Sequence, residues 1–170
     1  MIENILGQIF PVEYGVTPAS IHVPIVRHNA PFSVSDPNAC DPCQANPQRA
    51  YRAGCNHEIL RVNNNGEEIA LVSYEQYITQ YGQNIGERCD LLMTDSGMER
   101  RKIVFCDLCC YSEALVEPNT GKYPQGKRAK ARQQMERSID TLIHQHVTAV
   151  NLLTYHEKVC LFAWRDYDVP

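Results

Sequence analysis

Two aspartates, Asp90 and Asp107, are the residues that the sequence places best for chemistry. Each lies in a short run with apolar residues, the first at residues 88–93 and the second at residues 101–110, with a polar turn between the runs. Runs of this composition predict two adjacent strands that each contribute one acid. Two carboxylates held side by side can bind Mg²⁺ or Mn²⁺ next to a phosphate group. The alternative is that both are ordinary exposed acids at strand ends.

A helix with a basic start is predicted after these two runs. From Gly126 to about Val150, apolar residues recur at every third or fourth position, which predicts one long helix packed on the sheet. Its first two turns contain four basic residues: Lys127, Arg128, Lys130 and Arg132. Cations are unfavourable at a helix N-terminus, so this cluster is a candidate contact for nucleic acid. A solvated helix start is the alternative.

These segments resemble the PD-(D/E)XK nuclease superfamily, in the form found in small bacterial proteins. Residues 89–92 (Cys-Asp-Leu-Leu) match the strand with the family's first acid, and residues 105–110 match the strand with the second. The family's helix pattern, Ala-x-x-Gln-Leu-x-x-Thr-Ile, is matched by Ala131, Gln134, Met135, Ser138 and Ile139. The resemblance covers about a third of the chain.

The resemblance implies a Mg²⁺ or Mn²⁺ site at Asp90 and Asp107, with Gln134 as a supporting residue. However, Cys109 stands where the family has its lysine. A thiol with a pKa of about 8.5 is mostly neutral at pH 7 and does not replace an ammonium group. Lys127 or Lys130 would have to supply that charge, and the family's first-helix glutamate has no evident counterpart. We therefore expect a nuclease-like protein that is degenerate and inactive, or a weak metal-dependent phosphodiesterase.

A non-enzymatic structural or protein-interaction module, with a protein partner that the sequence does not identify, is the alternative function. Its motif lies in a loop-like segment rich in Pro and Cys, where Cys40 and Cys43 have the spacing of two zinc ligands. Cys55 and His57 could complete a Cys₃His set that stabilises a long loop. Reduced thiols around a turn are the other interpretation of the same residues.

Composition limits the class of protein. The chain has 170 residues, a net charge of −4 and a pI of about 5.8, so no global basic field attracts nucleic acid. The N-terminus lacks the basic region and the long apolar run of a signal peptide, and no stretch is apolar enough to cross a membrane. We therefore expect a cytoplasmic protein with reduced thiols and no membrane contact.

The predicted fold is α/β, with a mixed central sheet of about five strands and the long helix packed on it. We expect a single domain over residues 1–170, with an irregular Cys/Pro-rich segment at 1–57 and the α/β core at 58–170. Within the core, residues 58–62 and 67–74 predict a hairpin around an Asn-Asn-Asn-Gly turn.

Three further segments are predicted to be extended. Residues 21–26 alternate like a strand, and Pro24 restricts it to a sheet edge. Residues 150–155 and 159–164 predict two strands after the helix. Along residues 105–110, alternation should place Cys106 in the core and put Cys109 on the same face as Asp107.

Overall fold

The computed structural model describes residues 2–35, 58–82, 88–95, 101–110, 116–118, 120–121 and 124–165. The strands in these ranges are β1 Ile25–His28, β2 Phe32–Ser35, β3 Glu58–Val62, β4 Ile69–Ser73, β5 Leu91–Asp95, β6 Lys102–Cys110 and β7 Glu157–Arg165. The helices are α1, which runs through Ile2–Asn4, Ile5–Ile9 and Phe10–Glu13 with a π-helical middle, α2 Tyr74–Thr79, α3 Gly126–Ile143 and α4 His146–Leu153. A 3₁₀ turn spans Pro18–Ser20.

The main sheet has five strands in the order β1-β4-β5-β6-β7. Neighbours from β1 to β6 are antiparallel, whereas β6 and β7 are parallel. Parallel neighbours need a crossover, and α3 and α4 provide it between β6 and β7. α3 packs on both of these strands. The predicted α/β fold, with a mixed five-stranded sheet under a long helix, is therefore confirmed.

The predicted hairpin is wrong in its pairing. β3 pairs with β2 in a separate two-stranded sheet, and β4 instead lies between β1 and β5. The turn itself has the expected conformation, since Asn65 and Gly66 have φ values of 49° and 86°. Ile59, Leu60 and Val62 pack against apolar residues on the outer face of the main sheet. β3 therefore packs on the main sheet and does not pair with β4. The residues of the turn alone do not predict this packing.

The single long helix predicted for residues 126–150 is two helices. α3 ends at Ile143, Gln145 is extended (φ −89°, ψ 113°), and α4 then begins. The Glu13 carboxylate accepts hydrogen bonds from the backbone N–H groups of Val147 (2.6 Å) and Thr148 (2.7 Å), so an acid from α1 caps α4. Residues 150–153 are therefore helical, and the strand predicted for 150–155 is wrong. The strand predicted for 159–164 is confirmed as β7.

The N-terminal part is more regular than the sequence suggested. α1 buries four apolar side chains in the core: Ile2, Ile5, Leu6 and Phe10. β1 begins directly after Pro24 and lies at one end of the strand order, as expected of a strand next to proline. Residues 2–35 thus contribute to the same core as the residues after position 58. The segment after β4 is helical, since α2 spans Tyr74–Thr79.

The main sheet has an apolar core on each face. Helix-side core residues include Phe10, Val72, Leu92, Phe105, Met135 and Leu142. The outer core, under the small sheet, includes Val34, Leu71, Leu91, Met93, Cys106 and Leu108. The predicted alternation along β6 is confirmed, since Phe105 faces the helices and Cys106 faces the small sheet. Among the described helices, none is both long and apolar enough to cross a membrane.

Candidate functional site

Asp90 and Asp107 come from neighbouring antiparallel strands. Leu91 pairs with Cys106, so one further step along the same register sets Asp90 opposite Asp107. The Asp90 Oδ2 accepts a hydrogen bond of 2.7 Å from the backbone N–H of Leu108. β6 continues beyond the last residue that pairs with β5, and this carboxylate replaces the missing strand partner of that N–H group. The structure therefore brings the two predicted acids together.

The backbone of Asp90 also starts α2. Its carbonyl oxygen accepts hydrogen bonds from the N–H groups of Tyr74 (2.9 Å) and Glu75 (3.3 Å). The first N–H groups of a helix have no partner within the helix, so an outside acceptor stabilises the helix start. Asp90 thus joins β6 through its side chain and α2 through its backbone.

α3 fixes the segment that leads into Asp90. The Gln134 side chain donates a hydrogen bond of 2.9 Å to the carbonyl oxygen of Arg88. The Ser138 hydroxyl accepts one of 2.8 Å from the N–H of Cys89 and donates one of 2.7 Å to the carbonyl oxygen of Gln134. Sequence reasoning assigned Gln134 a supporting role but gave Ser138 none. Its place four residues after Gln134, on the same helix face, is the signal that could have identified it.

Asp107 and Cys109 are both buried, with exposed fractions of 7% and 3%. Each acid directly follows a buried thiol in the chain, since Cys89 precedes Asp90 and Cys106 precedes Asp107. Burial raises the pKa of the Cys89 thiol, and the negative charges of Asp90 and Asp107 raise it further. Burial and the same two charges also raise the pKa of Cys106. Because Cys109 is buried, the position that the resemblance aligns with the family's lysine holds a thiol with little access to solvent.

The predicted basic residues occupy the start of α3. Lys130 lies one helical turn before Gln134 and Lys127 lies one turn before Ala131, and both side chains are half-buried. Arg128 forms an ion pair of 2.9 Å with Glu117, and Arg132 forms one of 2.8 Å with Glu136. These glutamates reduce the positive charge that the cluster presents to an anion.

Gly126 sets the position of this basic helix start. Its φ of +79° favours glycine, and a Cβ atom there would collide with the carbonyl of Val116 and lie 2.6 Å from the carbonyl carbon of Glu117. The first turn of α3 can therefore lie directly against residues 116–117 only because residue 126 has no side chain. Sequence reasoning used this glycine only as a helix boundary.

The candidate zinc ligands, Cys40, Cys43, Cys55 and His57, lie outside the described residues. α1 is a helix with two acids, but Glu3 pairs with Arg27 at 2.5 Å and Glu13 caps α4. Neither glutamate of α1 stands in for the family's first-helix acid.

The donor set at Asp90 and Asp107 fits a hard divalent cation. Carboxylate oxygens are the ligands that Mg²⁺ prefers, and Mg²⁺ is often held by one or two carboxylates plus water and substrate phosphate. Over the described ranges, no group of three or more His, Cys, Asp and Glu side chains is arranged to hold a metal. Within the described part of the chain, a metal at this place would therefore take its carboxylate ligands from these two acids.

The opposite end of β5 has the same backbone hydrogen bond in different surroundings. Asp95 Oδ1 accepts a bond of 3.0 Å from the N–H of Lys102. A cavity of about 130 Å³ adjoins it, and basic and hydroxyl side chains share its lining: Arg27, Arg101, Thr94 and Tyr155. Burial raises the pKa of Tyr155, against the positive charge of Arg101. Here an acid has cationic neighbours.

Protein-family models, curated proteins and solved structures were compared with this chain, and none of them matched it. The fold and the site define a mixed α/β protein with a pair of acids between two central strands and an anchoring helix.

Proposed function

We propose that this chain is a degenerate relative of the PD-(D/E)XK nucleases, either inactive or slow at cleaving phosphodiester bonds in nucleic acid. In this proposal Asp90 and Asp107 bind Mg²⁺ or Mn²⁺. The observation that supports it most directly is the register of β5 and β6, which sets these acids opposite each other. The resemblance requires two strands followed by a helix. Here β5 pairs with β6, and α3, which follows them in the chain, packs on β6.

The residues around the acids have distinct roles in this proposal. A bound cation would supply a water molecule of lowered pKa and neutralise phosphate charge. Gln134 and Ser138 position Asp90 by fixing the backbone of residues 88–89. Lys127 and Lys130 contact the phosphate backbone of the nucleic acid, together with Arg128 and Arg132 when the phosphate displaces their glutamate partners.

Cys109 is the reason for proposing low or absent activity. Nuclease chemistry at a two-acid site benefits from a fixed cation that stabilises the developing phosphate charge. The buried thiol at position 109 offers no positive charge at neutral pH. Metal binding can persist without that cation, whereas catalysis loses its contribution.

Metal binding and cleavage together test the proposal. We would measure Mn²⁺ binding by calorimetry, and cleavage of single- and double-stranded DNA and RNA, for the wild type, Asp107→Asn and Asp140→Asn. Asp140 is an exposed acid on α3 and is the matched control. We expect Mn²⁺ to bind the wild type and the control but not Asp107→Asn, and any cleavage to follow the same pattern. A wild type that binds no Mn²⁺, or equal binding by Asp107→Asn, would refute the acid-pair site.

A substitution at position 109 tests the cause of low activity. Cys109→Lys would restore a cation beside Asp107, and we expect cleavage to rise at least about tenfold, as for other positioned charge-stabilising groups. Cys109→Met, of similar length but uncharged, is the control. A folded Cys109→Lys variant that binds Mn²⁺ and cleaves nothing would show that more than the lysine has been lost.

A non-enzymatic interaction module is the second candidate. The observation that favours it is that Asp90 already serves the fold, through Leu108 and the start of α2. In this version zinc bound by Cys40, Cys43, Cys55 and His57 stabilises a loop for a protein partner in the cytoplasm. The purified chain would then contain about one zinc per molecule, and Cys43→Ser would lose both the zinc and thermal stability. A zinc-free wild type would rule out the zinc-stabilised version.

A further inference from the structure

The cavity beside Asp95 depends on how three strands line up. Arg27 of β1 pairs with Ala70 of β4, and Ala70 pairs with Thr94 of β5. Residues paired in this way lie on one face of a sheet, so the three side chains form a row on the helix side. Ala70 is the smallest side chain of the row and lies between the other two, which leaves room for the space of about 130 Å³. We name this space the Asp95 cavity.

The Asp95 cavity has a buried inner end and a charged rim. Four of its lining residues are each at most 4% exposed: Ile2, Ala70, Thr94 and Tyr155. Its three charged residues, Arg27, Asp95 and Arg101, are all partly or largely exposed. Charged groups of a ligand would thus stay at the rim, and a small apolar or hydroxyl-bearing part would reach the inner end.

Two hydroxyl groups belong to the buried lining. The hydroxyls of Tyr155 and Thr94 form a hydrogen bond with each other. Two hydroxyls have two hydrogens between them, and this bond uses one, so the pair can donate the other to a ligand. The inner end therefore offers polar contacts as well as the methyl group of Ala70.

The rim carries charges of both signs. Arg27 forms ion pairs with Glu3 of α1, at 2.5 Å, and with Glu68, so its charge is already balanced within the protein. Arg101 and Asp95 add one charge of each sign. A simple anion such as phosphate therefore meets no net positive field here, whereas a ligand with two opposite charges can pair with side chains of both signs.

We propose that the Asp95 cavity binds a small α-amino acid. The carboxylate of the ligand pairs with Arg27 and Arg101, and its ammonium group pairs with Asp95. Its side chain lies against Ala70 and the two hydroxyls. Sites for drug-sized ligands have roughly 300–1,000 Å³, so the smaller volume here admits glycine, alanine or serine and excludes a nucleotide.

The Asp95 cavity is separate from the acid pair. Asp90 and Thr94 are four residues apart along β5, which is about 13 Å at 3.3 Å per residue. The inference therefore does not rest on nuclease-like function, and a failure of either proposal leaves the other in place.

Calorimetric titration of the full chain with matched probes tests the site. The probes are L-alanine, propionate, which lacks the ammonium group, and ethylamine, which lacks the carboxylate. We expect L-alanine to bind and each partial ligand to bind at least about tenfold more weakly, because each has lost one charge-assisted contact. Glycine and L-serine should bind as well, and inorganic phosphate should bind more weakly than L-alanine.

Two substitutions separate the charge of the site from its space. Asp95→Asn keeps an oxygen for the N–H of Lys102 but removes the partner of the ammonium group, so L-alanine should bind at least about tenfold more weakly and propionate no more weakly. Asp140→Asn, at an exposed acid on α3, is the control for charge and should bind as the wild type does. Ala70→Val fills the inner end and should bind neither ligand, whereas Ala163→Val, in the core on the opposite face of the sheet, should bind both.

Each result bears on the proposal. L-alanine binding that falls in Asp95→Asn and Ala70→Val and persists in both controls supports it, with circular dichroism to confirm that the variants fold. Should Ala70→Val fail to fold, the contrast between Asp95→Asn and Asp140→Asn decides alone. A wild type that binds none of glycine, L-alanine and L-serine overturns the proposal, as does unchanged L-alanine affinity in Asp95→Asn. Phosphate that binds more tightly than L-alanine overturns it too, since the cavity would then recognise an anion.

Discussion

The two ends of β5 use the same hydrogen bond and differ in their electrostatics. At one end Asp90 accepts the N–H of Leu108, and at the other Asp95 accepts the N–H of Lys102. Asp90 has a second, buried acid opposite it, while Asp95 shares the lining of a cavity with Arg27 and Arg101. A hydrogen bond therefore does not distinguish a structural acid from a candidate ligand. The presence of a second carboxylate directly opposite does, because two adjacent negative charges favour a bound cation.

The largest expected effects on the free energy of unfolding come from replacing the two hydrogen-bonding acids, and they should differ strongly between the two ends of β5. Asp90→Ala leaves the N–H of Leu108 without its acceptor in a partly buried place, and we expect a loss of about 3 kcal/mol in the free energy of unfolding. Asp95→Ala removes an exposed bond, and the expected loss is about 0.5 kcal/mol. Urea denaturation of both variants measures the difference. Equal losses would contradict the contrast between the two ends.

The next largest expected effect is a loss of folding stability at alkaline pH, which comes from a thiol beside the acid pair. The pKa of Cys89 in the folded chain lies above the ordinary value of a thiol, mainly through burial and further through Asp90 and Asp107. The folded chain therefore keeps a proton that the unfolded chain loses above about pH 9, so stability falls as pH rises from there. One such group gives a slope of about 1.4 kcal/mol per pH unit.

Denaturation at pH 8 to 11 checks this slope. Cys89→Ala should reduce it by the share of one group, since the pKa of Cys106 is raised as well, while Cys160→Ala, at an exposed thiol, should change it much less. An unchanged slope in Cys89→Ala would show that other groups, such as Tyr81 with its pKa raised to about 12, dominate the alkaline loss.

Removing one charge of the pair should stabilise the metal-free protein. Asp107→Asn keeps the shape of a buried acid and removes its repulsion with Asp90, so we expect a gain of about 1 kcal/mol in the presence of a chelator. It should also lower the pKa of Cys89. The thermal midpoint of the variant should no longer rise when Mn²⁺ is added. A loss of stability on this substitution would mean that the other interactions of Asp107 outweigh its repulsion with Asp90.

The smallest expected effect is at the other end of the strand. Asp95→Asn keeps an oxygen that can accept the N–H of Lys102, and the charge it removes is partly exposed. We expect a change within about 0.5 kcal/mol and no effect of Mn²⁺. A stabilisation as large as that of Asp107→Asn would erase the distinction between the two ends.

The sequence predicted the features that depend on local pattern. Short apolar, β-type runs predicted β5, β6 and β7, and the three- and four-residue spacing predicted the helix that begins at Gly126. Alternation along β6 correctly separated Phe105 from Cys106. The resemblance implied a supporting role for Gln134, which bonds the backbone next to Asp90; Ser138, to which no role was assigned, does so as well. These outcomes follow from short-range geometry, which a strand or a helix repeats regardless of its partners.

The sequence failed where distant segments decide. The Asn-Asn-Asn-Gly turn is local and was predicted, but whether β3 pairs with β4 or β2 depends on the core under the small sheet. The break between α3 and α4 follows from Glu13, more than a hundred residues earlier, which satisfies the start of the second helix. Neither contact leaves a trace in the residues next to it.

The sequence by itself determined which acids stand near the centre of the sheet and that Cys109 provides no fixed charge. Only the tertiary structure decided what surrounds each acid. The register sets Asp107 opposite Asp90, and the chain's path brings Arg27 and Arg101 to the cavity beside Asp95. The physical reason is that a strand fixes the direction of its side chains, whereas the charge near them comes from segments that meet only on folding.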